Sequence, residues 1–552
     1  MRRSTIALCG RVALAAMLCC VGLGAGSSIA QDAFRPELQS QQRRGGKSHA
    51  KNAQQKQTPR ERFAERAETL TRDGIAGKGQ WGMLITDAET GEVLYEQNSG
   101  KYFVPASNMK LLSTALSLSA LGPDYRFHTT LESEGTITSD GTLSADLVLV
   151  GRGDPNLSNR KFPYELKEEF DGAPDRVLAE LADALVAKGV KAISGDVIGD
   201  DSYFPRERYP NGWEIDDMVW QYGAAVSAIV VNDNTVTLTL TPGQSANDPV
   251  PAELAPATPE FLVDNRVRTS EAGVKSDLTL IREPGSPVVV VEGALPAKTA
   301  PRKLVLAIQE PAQHAAGVLK RLLEQRGVAV NGVARAIHDR IAPVAAPTVF
   351  AEHISVPLAD AVKLVNKISQ NLHTEVLLRT AAREACRRTP PGLPASDCSD
   401  LKTDAIFAGF CKDQYTTIGI QPDDVVQTDG SGLSRHDLVT PRSLVALLQF
   451  ARKQPWFAPY YASLPIAGVD GTMEDRLKNT EALGRIHAKT GSLEHVRTRS
   501  GYAETLSGRK LIFSFLGNNQ GGKNHEATDV LDGLSLAMIV EFDERSPHCC
   551  KK

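Results

Sequence analysis

The sequence predicts an α+β multidomain protein in which a β-rich region is inserted between the two parts of one domain. Its 552 residues exceed what a single hydrophobic core usually organises. Helix-like and strand-like segments mix near both ends of the chain, whereas short β-branched runs separated by turn residues dominate the middle. The formal net charge of −4 argues against a nucleic-acid-binding protein, which would carry a basic bias.

Residues 1–30 have the pattern of a secretory signal peptide. Arginines precede an apolar run at 12–24, and the small-residue cleavage site Ser28-Ile29-Ala30 follows it. That run is shorter than the ~20 residues that a membrane-spanning helix needs. We therefore expect the chain to be exported across the inner membrane to the periplasm and cleaved before Gln31. Residues 31–62, rich in Gln, Lys, Arg and Gly, are predicted to form a disordered tether.

The first part of the split domain is predicted at residues 63–123 and the insertion at 124–345. GMLITDAETGEVLYEQNSG indicates two strands around a Glu-Thr-Gly turn, and apolar spacing from Asn108 to Ala120 indicates a helix that Gly122-Pro123 ends. In the insertion, ADLVLVG, NTVTLTLTPG and SPVVVVEG indicate strands, and AQHAAGVLKRLLEQRG indicates an amphipathic helix. One or two separate β-rich modules are expected there.

The second part of the split domain is predicted at residues 346–546, followed by a tail at 547–552. LADAVKLVNKIS, NLHTEVLLRTAARE and TPRSLVALLQFARKQ have helical spacing. IHAKTGSL, RTRSGYAET and KLIFSFLGNN indicate strands, and a helix is predicted around HEATDVLDGLSLAMIVEFDE. Both ends of the chain thus contribute to one domain.

The cysteines suit an exported protein. Three of the eight lie in the signal peptide, and Cys386, Cys398, Cys411, Cys549 and Cys550 remain. One disulfide is expected among the first three, because export leads to an oxidising compartment. At least one of the five thiols must then be free or pair with another molecule. The sequence contains neither CxxC nor a nearby histidine pair, so no metal and no cofactor is predicted.

Three short motifs point to chemistry. Ser-x-x-Lys occurs five times, but only Ser107 and Lys110 open a strongly apolar helix, on which they share one face. Ser369-Gln370-Asn371 lies between two predicted helices, and Lys489-Thr490-Gly491 lies in a predicted strand near the end. This order of motifs is typical of penicillin-binding proteins and class A β-lactamases.

Longer segments make the resemblance specific. VPASNMKLLSTA, YGAAVSAIVVNDN, VNKISQNLHTEVLLRTA, TDGSGLSRHDLVTP, LPIAGVDGTMEDR, IHAKTGSLEHV and SGYAET resemble class C low-molecular-mass penicillin-binding proteins, peptidase family S13. The resemblance implies a transpeptidase-like fold, an antiparallel sheet with helices on both faces, with extra domains inserted. It also implies a D-alanyl-D-alanine carboxypeptidase or endopeptidase that cleaves peptidoglycan peptides with a diaminopimelate-type cross-link and is acylated by β-lactams.

The residue types suggest how such an enzyme would work. A serine hydroxyl needs a base, and Lys110 can take the Ser107 proton only if its amine is neutral. Burial and a second cation, Lys489, would lower the pKa of Lys110. Ser369 could relay a proton to the leaving amine, and Asn371 could hold Lys110 and the substrate backbone. These five residues are the predicted catalytic set.

Three further residues are predicted to bind substrate. The Thr490 hydroxyl and the Lys489 charge suit a terminal carboxylate. Gly491 would leave room for a peptide along an edge strand. The resemblance assigns an oxyanion hole to the backbone N–H groups of Ser107 and Ser492.

Two alternatives stay open from the sequence. A serine β-lactamase or esterase of the same fold would use the same nucleophile, but no suitably placed Glu-x-x-x-Asn would hold a deacylating water. A catalytically inactive cell-wall-binding relative would be expected to lose Ser107, Lys110 or Lys489. Asp429-Gly430-Ser431-Gly432 is interpreted as a turn and Trp213 as a core or interdomain contact. The balance of carboxypeptidase and endopeptidase activity and the oligomeric state are not predicted.

Overall fold

The computed structural model describes residues 57–72, 74, 76–339, 346–388, 398, 401–521 and 524–543. These residues belong to a single unit within Lys56–Lys552. The predicted signal peptide, most of the predicted tether, the tail at 547–552, Cys549 and Cys550 lie outside them. No helix among the described residues is long and apolar enough to cross a membrane.

The elements follow the chain in three groups. The first part of the split domain holds α1 (Pro59–Arg72), β1 (Gln80–Asp87), β2 (Val93–Gln97) and α2 (Met109–Leu121). The insertion begins with β3 (His128–Ser133), β4 (Thr142–Leu143), β5 (Leu147–Val150), β6 (Asp154–Leu157), α3 (Arg176–Ala187), β7 (Ala192–Ile193), β8 (Val197–Asp200), β9 (Ile229–Val231) and β10 (Thr235–Leu240). It continues with β11 (Ala252–Ala255), β12 (Leu262–Ser270), β13 (Asp277–Ile281), β14 (Val288–Pro296), β15 (Arg302–Ala307), α4 (Pro311–Gln325), β16 (Ala329–Val330), β17 (Ala334–Ile337) and β18 (Thr348–Ile354).

The second part of the split domain is mainly helical before its closing strands. It holds α5 (Leu358–Ile368), α6 (Asn371–Arg387), α7 (Thr403–Ile406), α8 (Lys412–Ile418), β19 (Val425–Val426), β20 (Leu438–Val439), α9 (Pro441–Ala451), α10 (Phe457–Ser463), β21 (Ile486–Leu493), β22 (Val496–Glu504), β23 (Lys510–Asn518) and α11 (Asn524–Glu541).

A five-stranded antiparallel sheet, in the order β2-β1-β23-β22-β21, joins the two ends of the chain. Alternate residues of its strands face opposite ways. Met83 and Phe515 pack under α1 and α11, whereas Leu84 and Leu516 pack against α2, α5, α6 and α9. The sheet therefore carries helices on both faces, which confirms the predicted fold class.

The first helix begins at Pro59, so the folded part starts before the predicted end of the tether at residue 62. Thr58 and Glu61 explain the early start, because they form a capping box. The Glu61 carboxylate accepts from the Thr58 backbone N–H at 2.7 Å, and the Glu61 N–H donates to the Thr58 hydroxyl at 3.3 Å. Phe63 then anchors the helix, fully buried against Phe542.

Among the described residues, the insertion contains a mixed five-stranded sheet, three three-stranded sheets and one two-stranded sheet. The five-stranded sheet has the order β17-β8-β5-β3-β18 and packs against α3 and α4. Two of the three-stranded sheets, β11-β10-β15 and β12-β14-β13, share a separate core. The predicted boundary at 345 is too early, because β18 pairs antiparallel with β3 and buries Phe350 in the core of the larger sheet. The insertion therefore extends to Ile354.

A disulfide joins Cys386 to Cys398, whose Cα atoms are 6.0 Å apart. Cys411 is a buried free thiol in the core between α2 and α9, and burial raises its pKa. One bridge among these three cysteines was expected, and it joins Cys386, in the last turn of α6, to Cys398, which follows the helix.

Candidate active site

Ser107 lies in a single 3₁₀ turn, Ala106–Asn108, that leads directly into α2. Two hydrogen bonds fix this turn on the central sheet. Thr498 Oγ1 donates to the Pro105 carbonyl at 2.8 Å, and Asn108 Nδ2 donates to Ser500 Oγ at 2.8 Å. Ala106 has a φ of 46°, a left-handed conformation that costs energy and is found most often at functional sites. The turn leaves the Ser107 side chain half-buried at the start of a buried helix.

Two glycines let neighbouring segments approach this turn. A Cβ atom on Gly491 would lie 2.1 Å from Thr498 Oγ1 and 2.8 Å from the Pro105 carbonyl oxygen. A Cβ atom on Gly432, whose φ is +81°, would lie 1.9 Å from the Ala106 carbonyl oxygen. Gly491 is therefore required for the close packing of the turn that holds Ser107 against β21 and β22. Its predicted role in making room for a peptide stays a prediction.

Lys110 is fully buried one helical turn after Ser107. Its Nζ lies 2.9 Å from Ser107 Oγ, 2.6 Å from Asn371 Oδ1 and 2.6 Å from the Ser431 carbonyl oxygen. The latter two oxygens can only accept hydrogen bonds. A neutral amine must give them its two N–H groups, and its lone pair then faces the Ser107 hydroxyl. Burial lowers the pKa of Lys110 to about 7, against the opposing effect of Asp429 and two other carboxyl groups.

Ser369 and Asn371 occupy the sharp junction between two helices. Helix α5 ends at Ile368, Ser369 adopts a left-handed conformation with φ 63°, and α6 begins at Asn371. Asn371 Nδ2 donates to the Tyr222 carbonyl at 2.8 Å, so Oδ1 is the atom that faces Lys110. No motif in the sequence connects Tyr222, in the insertion, with this site.

Lys489 lies on β21 and is also fully buried. Its Nζ donates to Ser369 Oγ at 2.9 Å and to the Thr490 carbonyl at 2.9 Å. Burial, together with the charge of Lys110, holds the pKa of Lys489 well below its usual value. This differs from the expectation that Lys489 would discharge Lys110. The carboxyl groups near Lys110 favour its cation, whereas burial and the charge of Lys110 both disfavour the cation of Lys489.

Thr490 and Ser492 lie on the same strand, at the edge of the sheet. In the five-stranded order β21 is paired only with β22, and the start of its outer side is covered where His487 pairs with Ile466. The part of the strand from Lys489 onward is available on that side to an extended peptide. Thr490 Oγ1 lies 2.6 Å from Thr472 Oγ1, a second hydroxyl that the motifs did not single out. Ser492 is exposed beside Ser107 in the same cavity.

That cavity has a volume of about 400 Å³ and an acidic wall. Ser107, Ser369, Asn371 and Ser492 line it. The acidic wall consists of charged lining groups, mostly from the insertion, that the sequence analysis did not identify: Glu214, Asp216, Asp217, Arg435 and Glu494. Arg435 Nε donates to Glu214 at 2.5 Å, which leaves an excess of negative charge. The wall suits a ligand group with a positive charge.

The structure thus brings all eight predicted residues together around one groove: Ser107, Lys110, Ser369, Asn371, Lys489, Thr490, Gly491 and Ser492. Within the described ranges, no group of three His, Cys, Asp or Glu side chains could hold a metal ion. A buried serine–lysine pair, a second serine–lysine pair and an open edge strand together allow acyl transfer without further groups.

Comparison with known proteins agrees with this geometry. The D-Ala-D-Ala carboxypeptidase 3 (S13) family matches residues 64–537. A D-alanyl-D-alanine carboxypeptidase of Actinomadura sp. (strain R39) is 33% identical over 478 residues, which cover 85% of this chain and 82% of the relative. A D-alanyl-D-alanine carboxypeptidase of Haemophilus influenzae is 27% identical over 84% of this chain and 89% of its own.

The fold of a solved structure is similar as well. Penicillin-binding protein 4 of Haemophilus influenzae superposes with a TM-score of 0.71 at 23% identity, covering 86% of this chain and 98% of that one. The family match at residues 64–537 includes the insertion and every predicted site residue. The chain therefore belongs to the D-Ala-D-Ala carboxypeptidase 3 (S13) family and is a serine-type D-Ala-D-Ala carboxypeptidase with the penicillin-binding-protein fold.

Proposed function

We propose that Ser107 forms an acyl-enzyme with peptidoglycan stem peptides, with Lys110 as the general base. The proposal rests on the 2.9 Å contact between Lys110 Nζ and Ser107 Oγ. The other two partners of Nζ, Asn371 Oδ1 and the Ser431 carbonyl oxygen, can only accept hydrogen bonds. Ser107 Oγ attacks the carbonyl carbon of the penultimate D-alanine, and its proton passes to Lys110. The carbonyl oxygen takes the negative charge beside the N–H groups of Ser107 and Ser492.

The second serine–lysine pair completes the cleavage. Collapse of the tetrahedral intermediate breaks the peptide bond, and Ser369 gives its proton to the leaving amine while Lys489 replaces that proton. The terminal D-alanine leaves, and water attacks the ester on Ser107 to release the shortened peptide. The 2.9 Å contact between Lys489 Nζ and Ser369 Oγ supports this assignment.

Substrate binding would set the charges of the two lysines. The terminal carboxylate, held by Thr490, would lie near Lys489 and raise the pKa of that amine. A protonated Lys489 would in turn lower the pKa of Lys110, because two cations so close together repel each other. The free enzyme, in which the pKa of Lys489 is low, would thus become competent when substrate arrives.

The acidic wall suggests the class of stem peptide. Asp217 and Glu494 line the same cavity as Ser107. A free ammonium group on the third residue, as in diaminopimelate or lysine, would be attracted there. The same wall could bind an amine that lies near the cross-link of a cross-linked peptide. Both carboxypeptidase and endopeptidase substrates therefore fit.

Labelling with fluorescent penicillin tests the nucleophile. We expect a stoichiometric, long-lived adduct on the wild-type protein and none on Ser107→Ala, with Ser158→Ala as the matched control that still labels. Persistent labelling of Ser107→Ala would refute the assignment. Rapid turnover of the β-lactam would favour the β-lactamase alternative, and an unlabelled wild-type protein would favour the inactive relative.

Peptide cleavage tests the role of the acidic wall. Peptides that end in D-Ala-D-Ala should be cleaved faster when the side-chain amine of the third residue is free than when that amine is acetylated.

We also propose that the chain acts outside the inner membrane. The predicted signal peptide and the peptidoglycan substrate both support an exported enzyme. N-terminal sequencing of the protein recovered from the periplasm should give Gln31 as its first residue. Recovery of an uncleaved chain would contradict this proposal.

A further inference from the structure

The turn that follows α8 and β19 is built around one buried carboxylate. Asp429 has no exposed surface, and its oxygens accept hydrogen bonds from Ser431 Oγ at 2.7 Å and from the backbone N–H groups of Gly432, Leu433 and Ser434 at 2.6, 3.0 and 3.1 Å. The carboxylate therefore sets the conformation of the whole turn.

The fifth donor to Asp429 comes from the insertion. Trp213 Nε1 donates to Asp429 Oδ2 at 2.8 Å. The Trp213 ring is almost fully buried, packed among residues of α6 and the turn that include Leu372, Val376 and Leu433. The indole thus reaches across the boundary between the insertion and the split domain.

The same turn delivers a contact to the proposed base. Its Ser431 carbonyl accepts from Lys110 Nζ at 2.6 Å. From the opposite side the turn is braced by Glu375, which accepts from the Gly430 N–H at 2.7 Å, and by Ser113, which donates to the Gly430 carbonyl at 2.6 Å. The Ser431 oxygen is therefore held from within α6, from α2 and from the insertion.

We propose that Trp213 is a positioning residue for the general base. Its N–H fixes the Asp429 carboxylate, and that carboxylate fixes the turn that carries the Ser431 carbonyl. The carbonyl in turn occupies one N–H of the Lys110 amine, which keeps the lone pair directed at Ser107. This inference rests on the proposed function, because it assumes that Lys110 is the base.

A second contact from the same segment has the same effect. The Tyr222 carbonyl accepts from Asn371 Nδ2 at 2.8 Å and so orients Asn371 Oδ1 toward Lys110. Residues 213–222 of the insertion therefore help to position both oxygens that accept hydrogen bonds from the Lys110 amine. The insertion is part of the catalytic apparatus, although none of its residues supplies the nucleophile or a proton.

The test removes the indole N–H of Trp213 while an aromatic ring is kept. Trp213→Phe keeps a ring but removes the N–H, and Trp213 replaced with β-(3-benzothienyl)alanine keeps the bicyclic shape with sulfur in place of the N–H. Trp81→Phe is the matched control. Trp81 is equally buried, and its Nε1 donates one hydrogen bond, to the Ala76 carbonyl at 3.0 Å, in the core beneath α1 and α11.

Stopped-flow acylation by fluorescent penicillin separates the dissociation constant of the initial complex from the first-order acylation rate constant. Loss of one hydrogen bond to a buried carboxylate should lower that rate constant about tenfold in both Trp213 variants. The dissociation constant should change less than twofold, and Trp81→Phe should acylate at the wild-type rate even if it melts earlier.

Three results would overturn the inference: an unchanged acylation rate constant in the benzothienyl variant, an equal loss in Trp81→Phe, or a loss confined to the dissociation constant. Failure of the proposed function would look different, since the wild-type protein would not be labelled on Ser107 at all.

Discussion

At the scale of single residues, the site depends on the charge of one buried amine. Lys110 Nζ contacts a hydroxyl and two oxygens that only accept. Burial lowers the pKa of this amine to about 7, whereas Asp429 and Glu375 oppose the shift. Burial and the nearby Asp429 raise the pKa of Glu375 itself to about 8, so this carboxyl group is mostly protonated at neutral pH and cannot strongly hold the cation.

The first prediction concerns the pH dependence of acylation. Because the base acts only when neutral, the second-order rate constant of acylation, which reports the free enzyme, should rise as pH increases through about 7, the pKa of Lys110. Below that pH it should fall about tenfold per unit, and above it the rate should level off. Stopped-flow labelling between about pH 5 and 9 measures the profile. A flat rate across neutral pH would mean that Lys110 is not the base.

Single residues also show what the sequence could reveal. Ser107, Ser369 and Lys489 belong to short motifs with fixed local spacing, so residue types and order were enough to find them. Trp213, Tyr222 and Thr472 act through contacts with residues distant in the chain. Tyr222 and Thr472 lie in longer segments that resemble the family, which gives no role, and Trp213 lies outside those segments. A carbonyl such as that of Tyr222 also has no side-chain signature.

At the scale of elements, the predicted helices and strands were mostly found, because periodic apolar spacing is a local property. α2, α5, α6, α9 and the strands β21 to β23 lie where their patterns indicated. Two boundaries were wrong. α1 starts early through the Thr58–Glu61 capping box, a two-residue signal inside a polar stretch. β18 belongs to the insertion because it pairs with β3, and pairing between distant strands cannot be derived from either strand alone.

The junctions between elements position the groups that react. The α5–α6 junction places Ser369 and Asn371, the turn before α2 places Ser107, and β21 places Lys489. Each is held by packing against another: Gly432 abuts the carbonyl of Ala106, and Gly491 abuts that of Pro105. Side chains on rigid, mutually packed termini keep the geometry that acyl transfer needs.

At the scale of the whole molecule, α6 is one of the elements through which the insertion and the split domain meet. Asp233 of the insertion accepts from His373 Nε2 on α6 at 2.8 Å and from both terminal nitrogens of Arg160, at 3.0 and 2.7 Å. Further along α6, Arg383 lies over the ring of Tyr203, with Cζ 4.2 Å from the ring centroid. Since α6 also carries Asn371, contacts that fix the position of this helix also fix one of the oxygens that accept a hydrogen bond from Lys110.

The last prediction tests whether Asp233 fixes the position of α6. Burial alone would raise the pKa of this carboxyl group, but Arg160 and His373 outweigh it and hold the pKa well below the usual value. Asp233→Asn leaves the buried Arg160 guanidinium with Glu168 as its remaining carboxylate and should cost about 3 kcal/mol in the free energy of unfolding. The midpoint of urea unfolding at neutral pH measures this cost.

The matched control is Asp183→Asn, which breaks an exposed ion pair with Arg326 and should cost less than ~0.5 kcal/mol. Because the pKa of Asp233 is lowered by folding, its contribution is present above about pH 4 and is lost as the pH falls further. The unfolding midpoints of wild type and Asp233→Asn should therefore converge in acid. Equal losses in the two variants, or a difference that persists unchanged in strong acid, would show that Asp233 does not tie the insertion to α6 through its charge.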